Sequence, residues 1–289
     1  MFKFFLIEIA DLTKVQVENL VYRERRAMAG LKKASSRADE KLLSAASSNL
    51  STLTTAELHD WCQKHAAVPD NPDQVFVVDY YIEEGEDVDD EPEAKWQIIL
   101  TTKCLLGKLS SCAGLQCDAT YKLLKRPDKG LLIMAGVTDL HHQFHGILWS
   151  LGSNEDTEAY IRLFKCLQNE GYEPEAILGD GSKAITKAAK AIFSDAKRLM
   201  CYFHLTQIIR RQWKPIRKSK KFKRFKDDVR VLQLSRSEEE FTIGAKLLVQ
   251  KWGNKHYAKA FMKSFTKKYL KGNLSNWFEG ASPFAATNN

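Results

Sequence analysis

The sequence has 289 residues, 44% hydrophobic and 28% charged. That balance excludes wholesale disorder and collagen-like repeats and predicts one core domain with a smaller attachment. The net charge of +8 hides a segregation: Thr206 to Lys271 holds 20 Lys or Arg against 5 Asp or Glu, and the remainder holds 24 against 31. Asp70 to Glu93 has 11 acidic residues and no basic one. Such an imbalance predicts that the C-terminal third meets a polyanion, because Lys and Arg release the counterions condensed on nucleic-acid phosphates. The plainer alternative is a solvated, lysine-rich helical face. No apolar run approaches the roughly 18–20 residues that span a bilayer. The apolar opening, Met1 to Ala10, reads as a core strand, a short helix or a gene-model artefact rather than a signal peptide, since Glu8 and Asp11 interrupt it. The six cysteines are scattered and read as free thiols of a reducing compartment, so an intracellular chain is expected.

Residues 12–48 read as a polar helical stretch with Val17, Leu20, Val21 and Leu31 on an imperfect apolar stripe. A second helix is predicted from Thr54, with Glu57 placed as in a capping box and Leu58, Trp61 and Cys62 on its buried face. Val75 to Ile82 is strand-like, the acidic run to Glu93 is a turn, and Trp96 to Leu100 pairs back as a hairpin. A short helical piece covers Thr102 to Lys108. Leu115 to Leu123 alternates as a strand, Leu131 to Thr138 is apolar enough for a strand buried on both faces, and Phe144 to Leu151 makes a third. A helix over Asp156–Asn169 buries Tyr160, Leu163, Phe164 and Leu167. A strand at Ala176–Asp180, a helix at Ser182–Phe193 and a strand near Arg198–Phe203 complete a mixed sheet with packed helices. From Thr206 onward the patterns are helical with basic faces.

Asp118 lies inside an apolar strand, and Asp180 ends another before Gly181. Parallel strands joined by a helical crossover lie close, so the two carboxylates can converge at one sheet edge. Paired carboxylates repel unless a divalent cation neutralises them, and Mg2+ favours such oxygen ligands. A pair of ions there would serve an in-line phosphodiester displacement. The alternative is that Asp118 satisfies backbone amides and Asp180 caps the following helix. Pattern alone leaves both open.

Cys117-Asp-Ala-Thr-Tyr-Lys122, Ile177-Leu-Gly-Asp-Gly181 with Ala184-Ile185, and Cys201-Tyr-Phe-His204 follow one another in an order and spacing that resembles the catalytic core of Mutator-like element (MULE) transposases, from about residue 96 to 289. The resemblance implies an α/β, RNase H-like mixed sheet with flanking helices, followed by a mostly helical insertion. It implies that Asp118 and Asp180 are catalytic carboxylates holding Mg2+ or Mn2+, two ions in the complete site, and that Cys201 and His204 lie beside them. In the family a third acid follows a T-N-N context. This sequence closes on Ala286-Thr-Asn-Asn289, so that acid is expected outside these 289 residues, and Glu279 reads as a surface residue beside a buried Trp277.

The resulting division is a helical region over 1–69, an acidic strand and hairpin lead-in over 70–114, a catalytic core over 115–205 and a basic helical insertion over 206–289. DNA is the expected partner, met by Arg210, Arg211, Arg217, Lys218, Lys220, Lys221, Lys223 and Arg224. A homo-oligomer, a nuclear location and the absence of a membrane span are also expected. Cys201-x-x-His204 is half of a zinc site with no evident second pair, Cys112 and Cys117 being nearest by type. His141-His142-x-x-His145 falls in a turn. No structural zinc is expected, and residues 1–95 lack the Cys/His spacing of a zinc-bearing DNA-recognition module. The functions in competition are a transposase that cleaves and joins DNA with metal ions, a transposon-derived DNA- or partner-binding protein without catalysis, and an RNase H-like nuclease unrelated to transposition.

Overall fold

The computed structural model describes residues 55–83, 95–121, 131–213 and 219–284. The expected helix over 12–48, the apolar opening, the acidic turn to Glu93, Arg217, Lys218 and the closing T-N-N lie outside the described residues. Seven strands form one mixed sheet: β1 (Phe76–Glu83), β2 (Lys95–Thr101), β3 (Gly114–Thr120), β4 (Leu131–Thr138), β5 (Phe144–Gly152), β6 (Ala176–Gly179) and β7 (Lys197–Met200). Their spatial order is β1-β2-β5-β4-β3-β6-β7. Eight α-helices accompany them among the described residues: α1 (Thr55–Lys64), α2 (Lys103–Leu106), α3 (Thr157–Asn169), α4 (Lys183–Ile192), α5 (Tyr202–Gln212), α6 (Lys220–Gln233), α7 (Glu238–Trp252) and α8 (Lys259–Phe265). None is long and apolar enough to cross a membrane. The chain divides into two compact units, Met1–Ser110 with Ala119–Ala135 and His145–Glu170, and Ser111–Asp118 with Gly136–Phe144 and Gly171–Asn289.

In the first unit the hairpin forms as its alternation predicts. β1 and β2 are antiparallel from Phe76↔Thr101 to Glu83↔Lys95, with a bulge between Val77 and Asp79, and β2 continues onto β5 from Gln97↔Gly152 to Leu100↔Trp149. Helix α3 begins at Asp156, whose carboxylate accepts from the Ala159 N–H at 2.9 Å, and buries Tyr160, Leu163, Phe164 and Leu167 as the spacing requires. The buried amide of Gln97 is satisfied by donating to Ser150 Oγ at 2.7 Å and to the Ala159 carbonyl at 2.9 Å. Arg162 pairs with Asp79 at 3.3 Å and lies over the Tyr81 ring at 4.5 Å.

The second unit holds the parallel part of the sheet. β3 runs parallel to β6 and β6 parallel to β7. The last strand is shorter than its apolar pattern suggests, ending at Met200 instead of Phe203. Cys201 takes φ −64° and ψ 121°, its N–H still donates to the Gly179 carbonyl at 2.8 Å, and its carbonyl accepts the Leu205 N–H at 3.0 Å. The last rung of the sheet and the first turn of α5 therefore meet at one residue.

The helices beyond build a separate aromatic core. In α6 a polar, basic sequence still folds because Phe222, Phe225, Val229 and Leu232 recur at helical spacing and are all buried, while Ser219 Oγ caps the helix by accepting the Phe222 N–H at 3.2 Å. Trp213 stacks on Phe225 with ring centroids 4.4 Å apart, and Trp252, Phe261 and Phe265 pack against Phe225 edge-on at 5.4, 5.6 and 6.1 Å. Helix α7 starts at Ser237, whose hydroxyl accepts the Glu240 N–H at 3.2 Å, with three acids in the first turn suiting the positive end of the helix dipole. Gly244 lies where a Cβ would come within 2.7 Å of Leu232, so the absent side chain lets α6 and α7 approach. Truncating Phe225 to Ala should cost about 3–5 kcal/mol, since it empties a fully enclosed site. Chemical denaturation checks this, and a loss under about 1 kcal/mol would mean the cluster does not organise these helices.

Candidate active site

Register decides where the carboxylates go. β3 and β6 pair as Gly114↔Ala176, Leu115↔Ile177 and Gln116↔Leu178. Two residues further along the same register stand Asp118 and Asp180. β6 and β7 pair up to Gly179↔Met200, so the next position sets Asp180 beside Cys201. Asp118, Asp180 and Cys201 thus occupy the carboxyl-terminal side of three neighbouring parallel strands, the side where open α/β sheets bind ligands.

Each residue is held by its own local geometry. Asp180 Oδ1 accepts the Ser182 N–H at 2.8 Å, while the Ser182 hydroxyl accepts the Ala184 N–H at 3.1 Å. Ser182 is therefore the N-cap of α4, and Asp180 shapes the turn just before it. Gly181 sits in that turn, where a Cβ would contact Leu274 at 3.5 Å and the Met200 side chain. His204, one turn into α5, projects on the same side as Cys201. Its Nε2 stands 3.6 Å from Asp118 Oδ1, with the two side chains 30% and 47% exposed.

The imidazole is held above its ordinary pKa. The Cys201 side chain contributes most to this, burial opposes it, and the carboxylates of Asp118 and Asp180 add to it. Its Nδ1 is buried without a hydrogen-bond partner. Cys117, inside β3, is pushed up to about 12 chiefly by burial, with Arg198 opposing and Asp118 and Asp180 reinforcing. It stays a thiol.

Among the described residues, no three or more His, Cys, Asp or Glu side chains gather as a metal-holding group. The donor set at this edge is a pair of hard carboxylates. That set fits Mg2+ or Mn2+, which are commonly held by one or two carboxylates, retained waters and a substrate phosphate. His141 and His142 lie exposed in the turn between β4 and β5, where Asp139 Oδ1 accepts the N–H groups of His141 and Gln143, both at 2.9 Å. His145 belongs to β5.

Of the basic residues, Arg210 and Arg211 are exposed in the last turn of α5, and Lys220, Lys221, Lys223 and Arg224 are exposed on α6. Lys221 covers the Tyr257 ring at 4.6 Å. The Tyr269 phenol, raised first by burial, also feels Asp180, which raises it, and Arg211, which lowers it.

Residues 114–208 match the family model described as the MULE transposase domain. The match runs from the first residue of β3 into α5 and contains Asp118, Asp180, Cys201 and His204. No curated protein matches the chain. A MULE transposase domain ties the protein to a transposon-related function on DNA.

Motif reasoning did not single out Arg198. From β7 of the MULE domain its guanidinium donates to the carbonyls of Asp180 and Leu199 and reaches that of Ile177 at 3.5 Å. Its own carbonyl accepts Asn276 Nδ2 at 3.2 Å, and the Asn276 carbonyl accepts the Met200 N–H at 2.9 Å. A cation next to the apolar Leu199-Met200 was the available signal, but bonds to carbonyls leave no spacing pattern. Replacing Arg198 by Ala should cost about 1.5–3 kcal/mol, the range for hydrogen bonds to a charged group. Denaturation midpoints would show it, and an unchanged midpoint would remove Arg198 from the support of the Asp180 turn.

The raised His204 pKa has a definite sign. Its folded value lies above that of the unfolded chain, so its contribution to stability is fully present below the unfolded pKa and fades as pH rises through the folded one. Asp118→Asn should lower the His204 titration midpoint measured by NMR. An unmoved midpoint would show that the carboxylate does not act on the ring.

Proposed function

We propose that this chain supplies an RNase H-like transposase core that binds transposon DNA and uses divalent metal to cleave and join phosphodiester bonds. The observation that carries the reading is the β3–β6 register, which assigns Asp118 and Asp180 to adjacent parallel strands within the MULE match. Asp118 and Asp180 would hold Mg2+ or Mn2+. When bound, such ions activate the attacking oxygen and stabilise charge on the leaving one. When protonated, His204 would offset carboxylate charge at Asp118, 3.6 Å away. The Asp180 backbone is held by Arg198, and its side chain by the Ser182 N–H. Arg210, Arg211, Lys220, Lys221, Lys223 and Arg224, with Arg217 and Lys218 beside them in sequence, serve to bind phosphates. Such a function would act on DNA in the nucleus, with more than one copy assembled on the DNA ends.

A second reading, a transposon-derived protein that binds DNA or a partner without catalysis, is favoured by one observation. Among the described residues, no third acid joins the pair in a metal-holding group. Manganese titration followed by electron paramagnetic resonance separates the two. Under the catalytic reading the wild-type chain binds Mn2+, and Asp118→Asn and Asp180→Asn each weaken it by at least about tenfold, as loss of even an outer-shell partner does. Binding that ignores both substitutions would rule out this metal site and leave the second reading.

DNA binding has its own test. Affinity for a generic duplex should fall steeply with salt, and reversing the charge of Lys220, Lys223 and Arg224 together should flatten the slope by about 0.9 for each phosphate no longer neutralised. A salt-insensitive affinity would mean that these cations do not neutralise phosphates.

A further inference from the structure

We propose that the outer face of α5 is a stacking platform for an unpaired nucleobase, with Phe203 as the surface on which the base lies and Arg210 and Arg211 binding the phosphates of the same strand. The proposal rests on the DNA reading above and deepens it, because it assigns a conformation to the nucleic acid next to the carboxylates.

Phe203 is 50% exposed in the first turn of α5. Its neighbours explain why it stays outside. Tyr202 turns inward and stacks on Trp277 with centroids 6.1 Å apart and planes 14° apart, and Leu205 and Ile209 are buried. These interactions fix the rotation of the helix, so Phe203 cannot turn inward without displacing them. The ring stands nearly perpendicular to that of His204, at 78° with centroids 5.5 Å apart. His204 in turn stands against Asp118. The open aromatic face is thus one side chain removed from the carboxylate edge.

The chemistry of the rest of the face agrees with a nucleic-acid strand. Gln207 and Arg210 follow Phe203 at helical spacing on the same side, Arg211 is exposed beside them, and the sequence of α5 contains no acidic residue. A base inside a duplex has both faces occupied by its stacked neighbours, whereas an unpaired base presents a free π-face to an aromatic side chain whatever its identity. The occupant is therefore a splayed nucleotide next to the phosphate that the carboxylates address.

The test uses the full chain and two probes, a blunt duplex and the same duplex carrying a short single-stranded extension with 2-aminopurine. Stacking predicts that the wild type quenches the probe and prefers the extended duplex. Phe203→Ala and Phe203→Leu should lose that preference by roughly tenfold, whereas Phe203→Trp should retain it. Leu keeps the apolar surface and removes the π-face, so a Leu variant that matches wild type would overturn the stacking assignment. Equal binding of the extended probe by wild type and Phe203→Ala, with salt-dependent duplex binding intact, would sink the platform and spare the phosphate-binding cations. A wild-type chain that binds neither probe overturns both the platform and the DNA reading.

Discussion

The parallel pairing of β3 with β6 is the constraint on which the candidate site depends. A strand cannot shift by one residue without turning every side chain to the opposite face, and the apolar members of these strands fix that choice. Leu115 and Cys117 are buried in β3, as are Ala176 to Leu178 in β6. The register that buries them is the one that carries Asp118 and Asp180 to equivalent positions. The acids are thus placed by hydrophobic burial of the residues just before them. The same reasoning extends to Cys201, since β7 pairs with β6 in a register fixed by buried Leu199 and Met200.

The charges at this edge are balanced in different ways on the two sides of the backbone. Arg198 reaches the carbonyl of Asp180 and leaves the carboxylate to the Ser182 N–H. A cation bonded to the carbonyl steadies the turn and leaves the carboxylate charge in place. His204 acts from the other side. Its Nε2 stands 3.6 Å from Asp118 Oδ1, and its pKa is raised first by Cys201 and then by the two carboxylates.

Much of this was readable from residue order, and the exceptions share a cause. The helix over α3 could be drawn with its buried residues because its apolar spacing is regular and Asp156 is a good cap. β4 could be drawn because only a strand buried on both faces is apolar throughout. The convergence of Asp118, Asp180, Cys201 and His204 was also foreseeable, from motif order and the need of a crossover helix between parallel strands. The end of β7 was not, because Cys-Tyr-Phe is as suitable for a strand as for a first helical turn, and the deciding bond, Cys201 N–H to Gly179, is a tertiary one. Membership of the β1–β2 hairpin in the large sheet was equally hidden, since pairing with β5 requires knowing which edge is vacant. Arg198 and Phe203 were hidden as well: Arg198 bonds to backbone carbonyls and Phe203 stays exposed, and neither leaves a periodic trace.

The basic helices show why charge and core have to be read together. A run such as Lys220 to Lys226 has the composition of a disordered tail, yet Phe222 and Phe225 interrupt it at the spacing that puts both under Trp213. Burial of those rings orders the backbone, and the order decides where the cations point. Asp228, an acid within the same helix, is drawn off toward Lys251 at 2.8 Å and the Trp252 indole at 2.7 Å. It therefore subtracts little from the exposed positive face. An aromatic core under a basic surface converts a diffuse surplus of charge into an oriented one.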